Sequence, residues 1–303
     1  MRDPVRAKFG VTRFSPPVQG AIWTILASLC VVAFTSIGKY LMAEMSVPII
    51  TFFRCVFGVL FILPWIVSVG LAGLATKRPV LMIARGFNTL VGLYCVFGAV
   101  ALIPLADVIA IQYSKPIFAS IAAVLILREV MYGARWNAIL IGFIGMLLII
   151  RPGFTDWNVG VLYALGAMAA GAFTTISVKL MTRTEPPDRI VAYTLMVMTV
   201  GSLIPAIIYW QTPTFVQILW LILLGGLATA FQRCVARALA AADATIILPF
   251  DFMRLLIAVA FGFFIFGEAL DGWTWAGGTV IFIASIYVVR AESGRNAEAR
   301  STV

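Results

Sequence analysis

"ILPFDFMRLLIAVAFGFFIFGE" (Ile247 to Glu268) opens with twenty residues that carry no charge apart from Asp251 and Arg254. Wound as a helix at about 1.5 Å per residue, twenty apolar residues cross a hydrocarbon core of roughly 30 Å. An acid and a base three residues apart share one face of that helix. Insertion of Asp or Arg at the centre of a span costs roughly 2.5–3.5 kcal/mol each, so the pair must face a protein interior or a wet cavity. Such residues are functional candidates by default.

The same greasiness runs through the chain. Of its 303 residues 62% are hydrophobic and 12% charged, and the mean hydropathy is +1.04, well outside the range of soluble globular domains. The composition predicts an all-α membrane protein with ten transmembrane helices, at 19–41, 46–69, 79–102, 104–127, 134–151, 157–180, 189–210, 214–236, 243–266 and 272–290. These lengths exclude a β-barrel, whose strands alternate over about ten residues. The seventh and eighth spans are separated by one turn signal, "QTPT" (Gln211 to Thr214). Residues 1–18 read as a basic tail, with Arg2, Arg6, Lys8 and Arg13, and the first span as an anchor rather than a cleaved signal peptide.

Basic residues orient the spans. Seventeen of the 22 Lys and Arg fall on the side of the N-terminus, including Lys77, Arg78, Arg85, Lys179, Arg233 and Arg237, while Lys39 and Arg151 stand alone opposite. The positive-inside rule then puts both termini in the cytoplasm. The net charge of +9 is mostly this bias, so no nucleic-acid partner is implied. Three basic residues belong to neither loop set: Arg54, Lys115 and Arg254.

Five spans per half allow two copies of one unit inserted in opposite senses. A shift of 139 residues lays Glu129 on Glu268, Trp136 on Trp275 and Arg151 on Arg290; a shift of 140 lays Gly20 on Gly160, Thr35 on Thr175 and Lys39 on Lys179. The predicted units are a first repeat over 19–151 and a second over 157–290, with tails at 1–18 and 291–303. The 139-residue shift also lays Gln112 on Asp251 and Lys115 on Arg254, so "QYSK" in the fourth span answers "DFMR" in the ninth. All four lie near the middle of their spans. Pro116 and Pro249 beside them bend a helix and free backbone groups that can line a cavity. Gln112, Lys115, Asp251, Arg254 and Arg54 are the candidate substrate-binding residues, with Asp251 also a candidate for a coupling proton. Their alternative role is structural, an ion pair within one helix and hydrogen bonds to nearby backbone. Three cations against one acid favour the binding role, because a purely structural network is expected to balance its charge. Tyr113 and Phe250 adjoin the two pairs and are candidates to stack on a planar substrate, with lipid or helix contact as the alternative.

Several chemistries find no support. The chain has no histidine, no phosphate-cradling glycine loop and no metal-ligand spacing, and Cys30, Cys55, Cys95 and Cys234 read as packing residues. No cofactor or metal is expected, nor an ATP-driven pump. A membrane-embedded transferase would rest on Glu129 or Glu268, whose repeat symmetry argues against a unique active site. A passive channel is the other alternative. The run "GAMAAGAFTT" (Gly166 to Thr175) suits close helix packing. Trp136, Trp157, Trp210, Trp273 and Trp275 sit at span ends, where interfacial belts put tryptophan.

The segment "ALIPLADVIAIQYSKPIFASIAAVLILREVMYGARWNAILIGFIGMLLIIRPG" (Ala101 to Gly153) and its echo "FIFGEALDGWTWAGGTVIF" (Phe264 to Phe282) resemble the drug/metabolite transporter superfamily, EamA group. The telling features are the spacing of Pro116 to Glu129, then Trp136, Gly142 and "RPG" at Arg151 to Gly153. The second half departs from the pattern with Leu255 in place of Pro116. The resemblance implies two inverted EamA repeats around a central cavity, in a secondary carrier of the bacterial inner membrane; a monomer and a homodimer both stay open. Relatives with the "PLAD" run (Pro104 to Asp107) resemble carriers of riboflavin or S-adenosylmethionine, and other members export amino acids or drugs. Surplus positive charge disfavours a sulfonium cation, while Lys and Arg donors suit a flavin's dione edge or a carboxylate. The expected substrate is therefore riboflavin, with amino-acid export or S-adenosylmethionine uptake as alternatives.

Overall fold

The computed structural model describes residues 16–103, 111–112, 115–128, 133–150, 159–247, 250–251, 253–254, 256–257, 260, 272–273, 275–284 and 286–287. The described residues form helices and turns and contain no strand. In chain order these are α1 (Pro16–Met42), α2 (Val47–Gly73), α3 (Pro79–Leu102), α4 (Lys115–Ala122, continued by a π-helical turn at Ala123–Leu127), α5 (Gly133–Ile150), α6 (Val159–Thr182), α7 (Pro187–Ile208), α8 (Phe215–Ala241), the single turn α9 (Ala244–Ile247) and α10 (Trp275–Ala284). Six of them, α1, α2, α3, α6, α7 and α8, are long and apolar enough to cross a membrane. The remaining four expected spans are described only in shorter pieces.

Local chemistry explains where the long helices start and stop. Prolines preset the first turns of α3 at Pro79 and α7 at Pro187, where a missing N–H costs nothing. The turn expected at "QTPT" is there: Thr214 caps α8 by accepting from the Gln217 N–H at 3.4 Å, while the Gln217 side chain accepts from the Thr214 N–H at 2.9 Å. Gly70, at φ 65°, turns the end of α2 in a way few other residues tolerate. Inside the spans, hydroxyls are satisfied by their own helix, as where Thr24 donates to Gly20 O at 2.9 Å and Thr229 to Gly225 O at 2.8 Å.

The helices pair in a pattern. α1 packs along α8 and α3 along α6, α2 packs on α7 and α8, and α3 also on α7. Exchanging α1, α2 and α3 for α6, α7 and α8 leaves these pairings unchanged. Helices in lipid gain little from the hydrophobic effect, so contact depends on backbones approaching closely. A Cβ on Gly225 of α8 would lie 2.7 Å from Phe57 Cβ and 3.0 Å from Arg54 O of α2, and one on Gly86 of α3 would lie 2.6 Å from Val197 Cβ of α7. Gly86 and Gly225 are themselves 139 residues apart, the shift that aligned the two halves. The "GAMAAGAFTT" run packs against α3: Asn88 donates to Ala170 O at 2.8 Å, and Gly92 is too near Ala170 to carry a side chain. At the core Ile62, Met82, Met181, Ile190 and Leu239 from five helices are buried together.

Candidate functional site

A cavity of about 290 Å³ opens between these helices, walled by residues of α1, α2, α3, α6, α7 and α8 together with Gln112, Lys115, Asp251 and Arg254. It lies just under the range of roughly 300–1,000 Å³ usual for small-molecule sites. Along α1 its wall runs from Thr24 to Phe34, about 15 Å of helix.

The sequence pairs meet across this space. Lys115, at the start of α4, places Nζ 2.9 Å from Asp251 Oδ2, and Arg254 Nη2 lies 3.9 Å from Asp251 Oδ1. Lys115 can reach because its stem passes over Gly171 of α6, where a Cβ would stand 3.0 Å from Lys115 Cδ. Asp251 thus holds two cations from opposite halves of the chain, and its ion pair reaches beyond its own helix. Gln112 and Arg54 line the same cavity. Phe250 does not point there; it is buried with Ala21, Ala138 and Met253. Tyr113 lies outside the described residues, as do Glu129, Pro249 and Glu268.

Two features were missed. The first is aromatic: Phe34 and Phe231 stand on the cavity wall with ring centroids 5.7 Å apart at 57°. Arg54 lies 5.7 Å over the Phe34 ring and Arg254 lies 5.8 Å over the Phe231 ring, so a cation flanks each aromatic face of the pair. One phenylalanine in an apolar span carries no sequence signal. The second corrects the assignment of Arg85 to the loop side of the membrane. It lies six residues into α3 and is 2% exposed in the cavity wall, donating to Thr194 Oγ1 and, at 3.2 Å, to Gln232 Oε1. The signal that misled was its closeness to Lys77 and Arg78. Among the described lining residues four cations, Arg54, Arg85, Lys115 and Arg254, therefore face one carboxylate.

Other basic residues near the helix ends are tied up structurally. Asp188 accepts from Arg233 Nε at 2.6 Å and Arg237 Nη2 at 3.5 Å, and Arg237 also lies 5.2 Å over the Trp23 ring. Lys179 donates to Leu239 O at 3.1 Å and Ala242 O at 2.6 Å. Between α6 and α7, Glu185 accepts from the Thr76 hydroxyl at 2.7 Å, the Lys77 N–H at 3.0 Å and the Arg189 guanidinium. Burial pushes the Glu185 carboxyl up, and those three donors more than offset it and hold it below the usual carboxylate range. The described residues contain no cluster of acids and cysteines able to hold a metal.

Comparison with known proteins bears on what this cavity serves. The profile of the EamA-like transporter family matches the chain twice, at residues 18–151 and 158–290. A riboflavin transporter of Vibrio cholerae is 31% identical over 94% of this chain and 97% of its own length. An S-adenosylmethionine uptake transporter of Rickettsia bellii is 29% identical over 90% of this chain and 94% of its own. A solved crystal structure superposes with a TM-score of 0.76 at 16% identity, over 90% of this chain and 95% of that one, and shares the fold.

Proposed function

The chain belongs to the EamA-like transporter family, and from that premise we propose that it is a secondary carrier taking up riboflavin across a bacterial inner membrane by alternating access. It is a multi-pass membrane transporter rather than an enzyme. The observation that carries the substrate reading is the cavity in which four cations face one carboxylate beside the Phe34–Phe231 pair. Riboflavin is uncharged, planar and rich in acceptors at its dione edge. In this reading Lys115, Arg254, Arg54 and Gln112 donate to those acceptors, Phe34 and Phe231 contact the ring, and Asp251 holds Lys115 and Arg254 in place. Asp251 is also the candidate for a coupling proton. Phe250, packed on Ala21, Ala138 and Met253, takes no part in stacking in this reading, and Tyr113 keeps its proposed stacking role.

A sulfonium cation would enter this surplus of positive charge at a cost, which argues against S-adenosylmethionine although one relative carries that name. A second reading, export of a zwitterionic amino acid, is favoured by Asp251, which gives an ammonium group a partner among cations that suit its carboxylate. The transport cycle proposed is rocking of two inverted five-helix units about the cavity, over 19–151 and 157–290, with both termini cytoplasmic. What supports it is the exchangeable pairing of α1, α2 and α3 with α6, α7 and α8, and the bias of basic residues.

The test is initial uptake of labelled riboflavin by a riboflavin-requiring bacterium expressing the chain, against an empty-vector control. Saturable uptake that unlabelled flavin competes away is expected. No uptake from protein present in the membrane would remove riboflavin and move amino-acid export forward.

A further inference from the structure

Arg85 is almost wholly buried, yet it meets no carboxylate among the described residues. Its two partners, Thr194 and Gln232, are neutral, and the Thr194 hydroxyl already donates to Ile190 O at 2.8 Å. The Arg85 Nε–H has no hydrogen-bond partner among the described residues. The guanidinium is therefore held by two neutral acceptors in a cavity wall next to Asn88 and Thr89, with its buried Nε–H unmade. Native interiors seldom leave a buried donor unmade without a reason. A guanidinium edge, with parallel N–H groups, matches a pair of acceptor oxygens in a way a lysine ammonium does not. The Arg254 Nε–H is unpartnered among the described residues too, but Asp251 serves Lys115 and Arg254, and Arg85 shares neither of its two partners with them.

We propose that Arg85 is a substrate-selecting contact, forming a subsite separate from the Asp251 cluster that takes two adjacent acceptor atoms from a carboxylate, a phosphate or the N1–C2=O edge of a flavin ring. The proposal rests on the reading of this cavity as the transport site. Thr194 of α7 and Gln232 of α8 are positioning residues, which fix the guanidinium plane from the second half of the chain.

The full-length chain, purified in detergent, is titrated with riboflavin, flavin mononucleotide and S-adenosylmethionine while tryptophan fluorescence is followed, and its Tm is measured without ligand. Arg85→Met is expected to keep or raise the ligand-free Tm, because replacing an incompletely satisfied buried ion with an apolar chain is commonly neutral or stabilising. The Kd for riboflavin is expected to rise at least tenfold in both Arg85→Met and Arg85→Lys, since lysine keeps the charge and loses the fork. A greater loss for flavin mononucleotide would identify its phosphate as the group held; an equal loss would identify the flavin ring edge. Unchanged riboflavin affinity in both variants overturns the proposal. So does a Tm that drops in Arg85→Met and recovers in Arg85→Lys, which would make Arg85 a tie between α3, α7 and α8. If riboflavin fails to bind the wild type, the flavin reading falls alone. Any other probe that binds then decides by its loss or retention in Arg85→Lys. If none binds, the ligand-free Tm of Arg85→Met decides.

Discussion

Removing the Asp251 carboxylate strands Lys115, 2.9 Å away, and Arg254, 3.9 Å away, in the same wall. Breaking a buried pair costs about 3–5 kcal/mol. These side chains keep 18–29% exposure to the cavity, so Asp251→Asn should cost less, about 1–2 kcal/mol, once solvent screening is allowed for. Uptake per folded molecule should fall more than tenfold, and adding Lys115→Met should restore Tm without restoring uptake. Recovery of both would make the pair structural. Glu185 gives a separate test in pH. Its folded-state pKa is depressed, so its contribution is complete above the unfolded value of about 4.3 and is lost as pH falls through the lower folded value. Glu185→Gln should lower Tm at pH 7, with the gap closing below about pH 4; a gap independent of pH would contradict the assignment. Asp251, Lys115 and Arg254 were legible in the sequence because charge inside an apolar run is costly and visible. Arg85 was hidden because a basic residue just after Lys77, Arg78 and Pro79 looks like the end of a loop.

The long helices begin and end close to where hydropathy put them, since prolines and a capping box mark the chain there. α8 is the exception, running to Ala241 where the expected span stopped at 236. Arg233 and Arg237 read as loop charge, but Asp188 and the Trp23 ring hold them and let the helix continue. Which helix touches which was not legible, because periodicity says which face is apolar and not what covers it. The α2–α8 crossing shows how close that contact is. Gly225→Leu would force its side chain onto Phe57 and the Arg54 carbonyl, which should cost about 1–3 kcal/mol as overpacking. It should also lower uptake by displacing Arg54 from the cavity wall. Circular dichroism melts with uptake measured alongside would check both. A variant with wild-type Tm and transport would mean the helices can separate freely at that point.

Across the whole molecule, α1, α2 and α3 make the pairings that α6, α7 and α8 make in exchange, and the family profile matches once in each half. The cavity draws on both sets, which is the placement the proposed alternating access requires. The expected offset of 139 residues rests on Glu129, Trp136 and their counterparts in the sequence. The cavity's aromatic wall was not legible there, since Phe34 and Phe231 become a pair only when α1 lies along α8. The most direct measurement is counterflow in proteoliposomes loaded with unlabelled riboflavin, then diluted into a trace of labelled riboflavin. A carrier working through this cavity should accumulate label transiently above equilibrium, and Asp251→Asn should abolish the overshoot while remaining folded. Label that only equilibrates would indicate a channel, and an overshoot untouched by Asp251→Asn would place transport outside the Asp251 cluster.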